Sequence, residues 1–116
     1  MSTYPNPETI MNVLGDDCAR RILCETSKEP QSATELADRS NVSQQTIYRR
    51  LDQLLEAGLV SETTRPRADG HHDTVYEALL NRFELHLRDG SFEADLERSD
   101  ETGRPADELT RLWRNF

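Results

Sequence analysis

The run from Ser32 to Val60 constrains this chain more than any other part of it. Ser32 and Glu35 stand at the spacing of a capping box: the serine oxygen accepts from the Glu35 amide, and the Glu35 carboxylate accepts from the serine amide. A short helix should follow, with Leu36 and Ala37 inward, and stop near Arg39. Ser40, Asn41 and Val42 then make the turn. Ser43 caps a second, longer helix. Val42 and Ile47 flank that cap at the spacing of a hydrophobic staple. Gly58 ends the second helix in a left-handed conformation. Two helices joined by so tight a turn form a helix-turn-helix.

The second helix has two faces. Ile47, Leu51, Leu54 and Leu55 recur at i, i+4, i+7 and i+8 and make one apolar stripe. Gln45, Arg49, Asp52, Gln53 and Glu56 lie opposite, with Thr46 beside them. Taken alone, such a polar face is the ordinary wet side of a surface helix. It also suits duplex DNA, because glutamine pairs with adenine, arginine with guanine, and serine or threonine with several bases or a phosphate.

The totals fit one domain of 116 residues with a modest core. No apolar run is long enough to span a bilayer and no secretory signal precedes the domain, so a soluble, cytoplasmic chain is expected. The balance is acidic, 14 Lys+Arg against 22 Asp+Glu for a net charge of -8, which argues against a generic nucleic-acid binder. Two details soften that objection. Lys28 is the one lysine, so 13 of the 14 cations are arginine, and the acidic surplus is spread along the chain. This bias resembles proteins from cells that hold molar salt, where the Debye length is about 3 Å and net repulsion from DNA is screened. A halophilic, archaeal source is the corresponding expectation. Cys18 and Cys24 fall six residues apart on one predicted helix, neither a CxxC pair nor a disulfide framework, and buried reduced thiols are expected.

Before the central run, Asn6 and Pro7 read as an N-cap and first-turn proline of a helix through Ile10, Met11, Val13 and Leu14 that ends at Gly15. A second helix runs from Asp16 to about Thr26, with Cys18, Ala19, Ile22, Leu23 and Thr26 on one face and Cys24 off it. After Gly58 the period changes to two. Leu59 to Thr64 and Thr74 to Leu80 read as strands around a turn-rich tip, residues 65–73, which carries Arg65 and Arg67. A second hairpin follows: Phe83, Leu85 and Leu87 share a face, Asp89-Gly90 signals the turn, and Phe92, Ala94 and Leu96 continue the alternation. Glu97 to Arg104 reads as a polar linker. Pro105 then opens a terminal helix striped by Leu109, Leu112, Trp113 and Phe116 at i, i+3, i+4 and i+7. Aromatic residues on a terminal helix must be buried against the same domain or another subunit. Together with Ile10 they are the candidate dimerisation residues.

Helix, helix, helix-turn-helix and a hairpin with arginines at its tip resemble the winged helix-turn-helix transcriptional regulators. The likeness is strongest to the arsenical-resistance-repressor type of halophilic archaea. Thr46-Ile-Tyr-Arg-Arg-Leu-Asp-Gln-Leu-Leu-Glu-Ala-Gly-Leu-Val60 and the hairpin to Leu80 carry the resemblance. It implies an α+β fold: a winged helix-turn-helix of three to four helices plus a hairpin wing over residues 1–80, extended over 81–116 by an extra hairpin and a terminal dimerisation helix. It implies a homodimer on double-stranded DNA, with the recognition helix, 43–57, in the major groove and the wing, 65–73, on the minor groove or backbone. The residues placed at DNA are Gln45, Thr46 and Arg49 for base readout, Gln44, Tyr48 and Arg50 beside them, Ser43 near a phosphate, and Arg65 and Arg67 on the wing. For the wing arginines the alternative is a mobile tip with its charges in water. The metal-sensing relatives that resemble this chain often carry clustered cysteines on the first helix of the motif. Here Ala33 to Arg39 has no thiol, so no arsenite or zinc response is expected from that site.

No Gly-rich phosphate loop, HExxH or nucleophile elbow is present, and no enzyme activity or cofactor is expected. His71, His72 and Asp73 could ligate a metal only if His86 joined them from another strand, and no metal site is expected. Two other functions remain open: a winged-helix module that binds a protein of the transcription machinery, and a ligand or redox sensor working near Cys24 or the terminal helix. Operator and effector are not legible.

Overall fold

The computed structural model describes residues 6–99 and the backbone of residues 110–114. Four helices come first: α1 (Pro7–Leu14), α2 (Asp17–Lys28), α3 (Ala33–Ser40) and α4 (Gln44–Glu56). Five strands follow: β1 (Val60–Pro66), β2 (His72–Ala78), β3 (Leu80–Arg88), β4 (Ser91–Arg98) and β5 (Thr110–Arg114). The fold is α+β and has the arrangement of a winged helix-turn-helix.

Local chemistry starts and stops each helix. The Asn6 side chain accepts from Glu8 N at 2.8 Å ahead of Pro7, and Asp16 accepts from Ala19 N at 2.8 Å. The capping box at α3 is complete, with Ser32 N donating to Glu35 Oε1 at 3.0 Å and Glu35 N to Ser32 Oγ at 3.2 Å. Asn41, with φ 57°, ends α3 in the left-handed region. Gly58 ends α4 at φ 74°. There Gly58 N donates to Leu55 O at 3.0 Å and Leu59 N to Leu54 O at 2.9 Å, a Schellman motif whose apolar pair, Leu54 and Leu59, is fully buried.

All four helices and both hairpins feed one core. Ile10 and Val13, Ala19, Ile22 and Leu23, Leu36, then Ile47, Leu51 and Leu54 meet Leu59, Val60, Tyr76 and Leu96. Thr26 is buried and donates back to Ile22 O at 2.7 Å, which satisfies its hydroxyl inside α2. Ile10, expected at a dimer surface, has no exposed area: α1 is short, and its apolar side is consumed by the core of its own chain. Cys18 is half-buried, and burial pushes its thiol upward; Cys24 is exposed rather than buried.

β1 and β2 form one antiparallel sheet, and β3-β4-β5 form the other. The wing loop is shorter than the sequence suggested. Arg65 pairs with Asp73 and Pro66 with His72, so the turn spans only Arg67 to His71, closed by Arg67 N to His71 O at 2.8 Å. β4 also continues to Arg98, through residues expected to begin a linker, because Glu97 and Arg98 find register partners in Arg82 and Leu80.

The largest departure is at the C-terminal end. Residues 110–114 form a strand, not the expected helix, with Trp113 opposite Ala94 and Arg111 opposite Asp95. Leu112 and Trp113 lie on that strand. Pro105, Leu109 and Phe116, the other landmarks of the expected helix, lie outside the described residues. The free edge of β4 explains the outcome. It offers unpaired N–H and C=O groups, and Thr110 and Trp113 are strand formers.

Candidate nucleic-acid interface

Ser43 opens α4 in extended backbone, and its oxygen accepts from Thr46 N at 3.1 Å. Its hydroxyl also donates to Thr46 Oγ1 at 3.0 Å. The cap therefore fixes the first turn of α4 while Ser43, Gln44 and Gln45 stay exposed around it. Ile47, Leu51 and Leu54 are buried, which holds the helix by its far side. The rotation that buries them exposes Gln45, Tyr48 and Arg49. Among the described residues, no carboxylate forms a salt bridge with Arg49, so its guanidinium is available to an external acceptor.

The flanking positions are less free. Gln44 Nε2 donates to Thr34 Oγ1 at 3.3 Å, which ties α4 to α3. Thr46 is half-buried and engaged with its cap. Arg50 points back into the domain, its Nε 2.9 Å from Asp16 Oδ2, so one carboxylate both caps α2 and anchors the arginine. The Ala19 amide, with Arg50 beside it, holds the Asp16 carboxyl below its usual range.

A groove of about 440 Å³ separates α3, α4 and the wing. Ser32, Thr34 and Glu35 line one wall, Tyr48 a second, and Arg65, Arg67, His72 and Thr74 the third. Both wing arginines face carboxylates. Arg65 Nη2 lies 2.9 Å from Glu35 Oε1 and 3.2 Å from Asp73 Oδ2. Arg67 lies 3.3 Å from Asp69 and 3.4 Å from Asp73. The capping amide of Ser32 first, and then Arg65, hold the Glu35 carboxyl below its usual range. On β2, burial and then the neighbouring Glu62 push the Tyr76 phenol up to about 12, so it stays protonated.

Of the residues expected at DNA, Ser43, Gln44, Gln45, Tyr48, Arg49 and Arg67 are exposed, Thr46 and Arg65 are half-buried, and Arg50 is committed to Asp16. Thr34, His72, Thr74 and the carboxylates Glu35 and Asp73 belong to the same groove. Spacing along one helix could not find them, because they come from α3 and from the strand after the wing. One signal was present: the capping box fixes the Glu35 side chain at the start of α3, the end that faces the wing. His71 and His72 lie at the wing and His86 lies on β3, in the other sheet.

Residues 14–63 match the family model of a helix-turn-helix domain. The match begins just before α2, takes in α3 and α4, and ends inside β1. The matched segment includes the part of the chain in which the geometry exposes the N-terminal half of α4. No curated protein matches the chain. Among the described residues, no helix is long and apolar enough to cross a membrane.

Proposed function

We propose that this chain is a sequence-specific transcriptional regulator that binds double-stranded DNA as a homodimer. α4 enters the major groove, and the β1–β2 wing lies on the neighbouring minor groove or backbone. One observation carries the reading: Gln45 and Arg49 are exposed on the N-terminal half of a helix whose opposite side is fully buried. Recognition helices read bases with that half. Ser43 and the wing arginines supply phosphate contacts, which position the protein without reading sequence. No catalytic group is needed.

Dimerisation follows from the length of DNA one helix can read, since specific operators use two half-sites about 34 Å apart. Support comes from Leu85, Leu87 and Phe92, which are 45%, 65% and 39% exposed on one face of the β3–β4 hairpin. A second copy of that face is the occupant we assign to it. We also read the chain as close to the arsenical-resistance-repressor type of halophilic archaea. The Leu-Leu-Glu-Ala-Gly-Leu-Val run from α4 into β1 and the arginine-rich, acidic composition support this.

A second reading is a winged-helix module that binds a protein of the transcription machinery. The carboxylates already paired with Arg65 and Arg67, and the net charge of -8, favour it. Mobility shifts on random and selected duplexes, at low and at molar potassium chloride, separate the two. Competitor-resistant binding with a salt dependence establishes the regulator. Silence under both conditions leaves the interaction module.

A further inference from the structure

The face of β3–β4 opposite Phe83, Leu85 and Leu87 carries Glu84 and His86 on one strand and Glu93 and Asp95 on the other. Glu84 stands across from Asp95, and His86 across from Glu93. The DNA contacts proposed above use none of them. Their donor atoms converge: His86 Nε2 is 3.0 Å from Glu84 Oε2 and 3.8 Å from Asp95 Oδ2, and the three ligand atoms lie within 4.8 Å of one another.

An imidazole nitrogen this close to two carboxylates either donates an N–H to them or shares a metal ion with them. A tetrahedral ion with bonds of about 2.0–2.1 Å sets its donor atoms ~3.3 Å apart. The two distances from His86 bracket that value. Two carboxylates match the charge of a divalent ion. A nitrogen–oxygen set without thiolate suits zinc, cobalt, nickel or manganese rather than copper(I). Asp95 is only 5% exposed, which places the third donor atom on the dry side of the ladder. The surroundings also orient the ligands. Arg82 Nε holds Glu84 Oε1 at 3.3 Å, leaving Oε2 toward His86. Asp95 and Glu93 keep further contacts of their own, and the backbone register sets Arg111 and Arg114 of β5 against them.

We propose that Glu84, His86 and Asp95 bind one divalent transition-metal ion of the zinc and cobalt class, across the β3–β4 ladder. The ion ties the two strands together, and its binding does not depend on the DNA reading. The test uses the full-length chain without an affinity tag, stripped by chelation, then titrated with Co²⁺ by visible absorption and with Zn²⁺ by calorimetry. One ion per chain and a thermal midpoint raised by Zn²⁺ are expected. His86→Gln should weaken binding at least about tenfold, the scale on which even outer-shell changes act. His86 is partly exposed, so this variant should fold, which circular dichroism checks. The double variant His71→Ala/His72→Ala should bind as the natural chain does. No uptake overturns the site, and so does uptake that survives His86→Gln or vanishes with the wing histidines. Equal, weak Zn²⁺ binding by the natural chain and His86→Gln would leave an imidazole hydrogen-bonded to carboxylates, and no metal site.

Discussion

At the scale of single residues, the candidate interface divides into arginines that are available and arginines that are held. Arg49 has no carboxylate partner among the described residues, whereas Arg67 lies beside Asp69 and Asp73. Arg49→Ala should therefore lower affinity for the selected operator by about 1–3 kcal/mol and relax the preference at one base pair. Arg67→Ala should weaken all sequences alike. Competition shifts with single-base operator variants read both effects, and unchanged preference in Arg49→Ala would place the reading face elsewhere. The caps give a second residue-scale outcome. Asp16 and Glu35 both titrate below their usual range, chiefly because backbone amides donate to them. A carboxyl depressed in the folded state contributes stability that is complete above its unfolded pKa, about 4. That contribution disappears as pH falls through the lower folded value. Asp16→Asn keeps a capping oxygen but loses the titration and the Arg50 ion pair. In urea melts it should be less stable than the natural chain at pH 7, with the gap narrowing as pH falls below about 4. A gap that persisted in acid would assign the loss to packing instead.

At the scale of elements, the terminators decide more than helix propensity does. Gly58 must hold φ 74° for the Schellman bonds to form and for Leu59 to enter the core. Gly58→Val should cost about 1–2 kcal/mol or more, since a β-branched residue pays the left-handed penalty in full. Chemical denaturation measures this directly. Such signals made the helix-turn-helix legible from the chain alone: Ser32 with Glu35, Ser43 and Gly58 each act on near neighbours, so spacing suffices. The terminal segment was not legible for the opposite reason. Leu109, Leu112, Trp113 and Phe116 fit a helical stripe, yet residues 110–114 pair with β4. A distant edge with unpaired backbone groups outweighed the local period. The same non-locality hid the Asp16–Arg50 and Glu35–Arg65 pairs, whose partners are 34 and 30 residues apart. The β3–β4 hairpin was half legible. Its alternation gave the register, but nothing local said that Phe83 and Leu96 would reach the core while Leu85, Leu87 and Phe92 stayed exposed. If that outer half joins two copies, Leu87→Glu should convert a dimer to a monomer in analytical ultracentrifugation. The helical signal by circular dichroism should not change, because Leu87 is outside the core. A dimer that survives the charge must use another surface.

At the scale of the molecule, a net charge of -8 would have to coexist with the polyanionic partner we propose. The ion pairs of the wing show how the two conflict. Asp73 stands between Arg65 and Arg67, and Glu35 takes a second side of Arg65. A phosphate that approaches this groove competes with carboxylates already in place, so each arginine brings less than one net positive charge. Counterion release scales with phosphates neutralised, and log K falls by about 0.9 per log unit of salt for each one. The natural chain should therefore show a shallow salt slope for its number of arginines. Asp73→Asn removes one carboxylate and frees both guanidinium groups on its side. It should bind duplex more tightly at low salt, with a slope steeper by up to about one per arginine released. The advantage should shrink toward molar potassium chloride, where a Debye length of about 3 Å screens the carboxylates and phosphates alike. Fluorescence anisotropy across the salt range measures the slope in both proteins. A parallel pair of lines would mean that the wing arginines never leave their carboxylates, and that α4 alone meets the DNA.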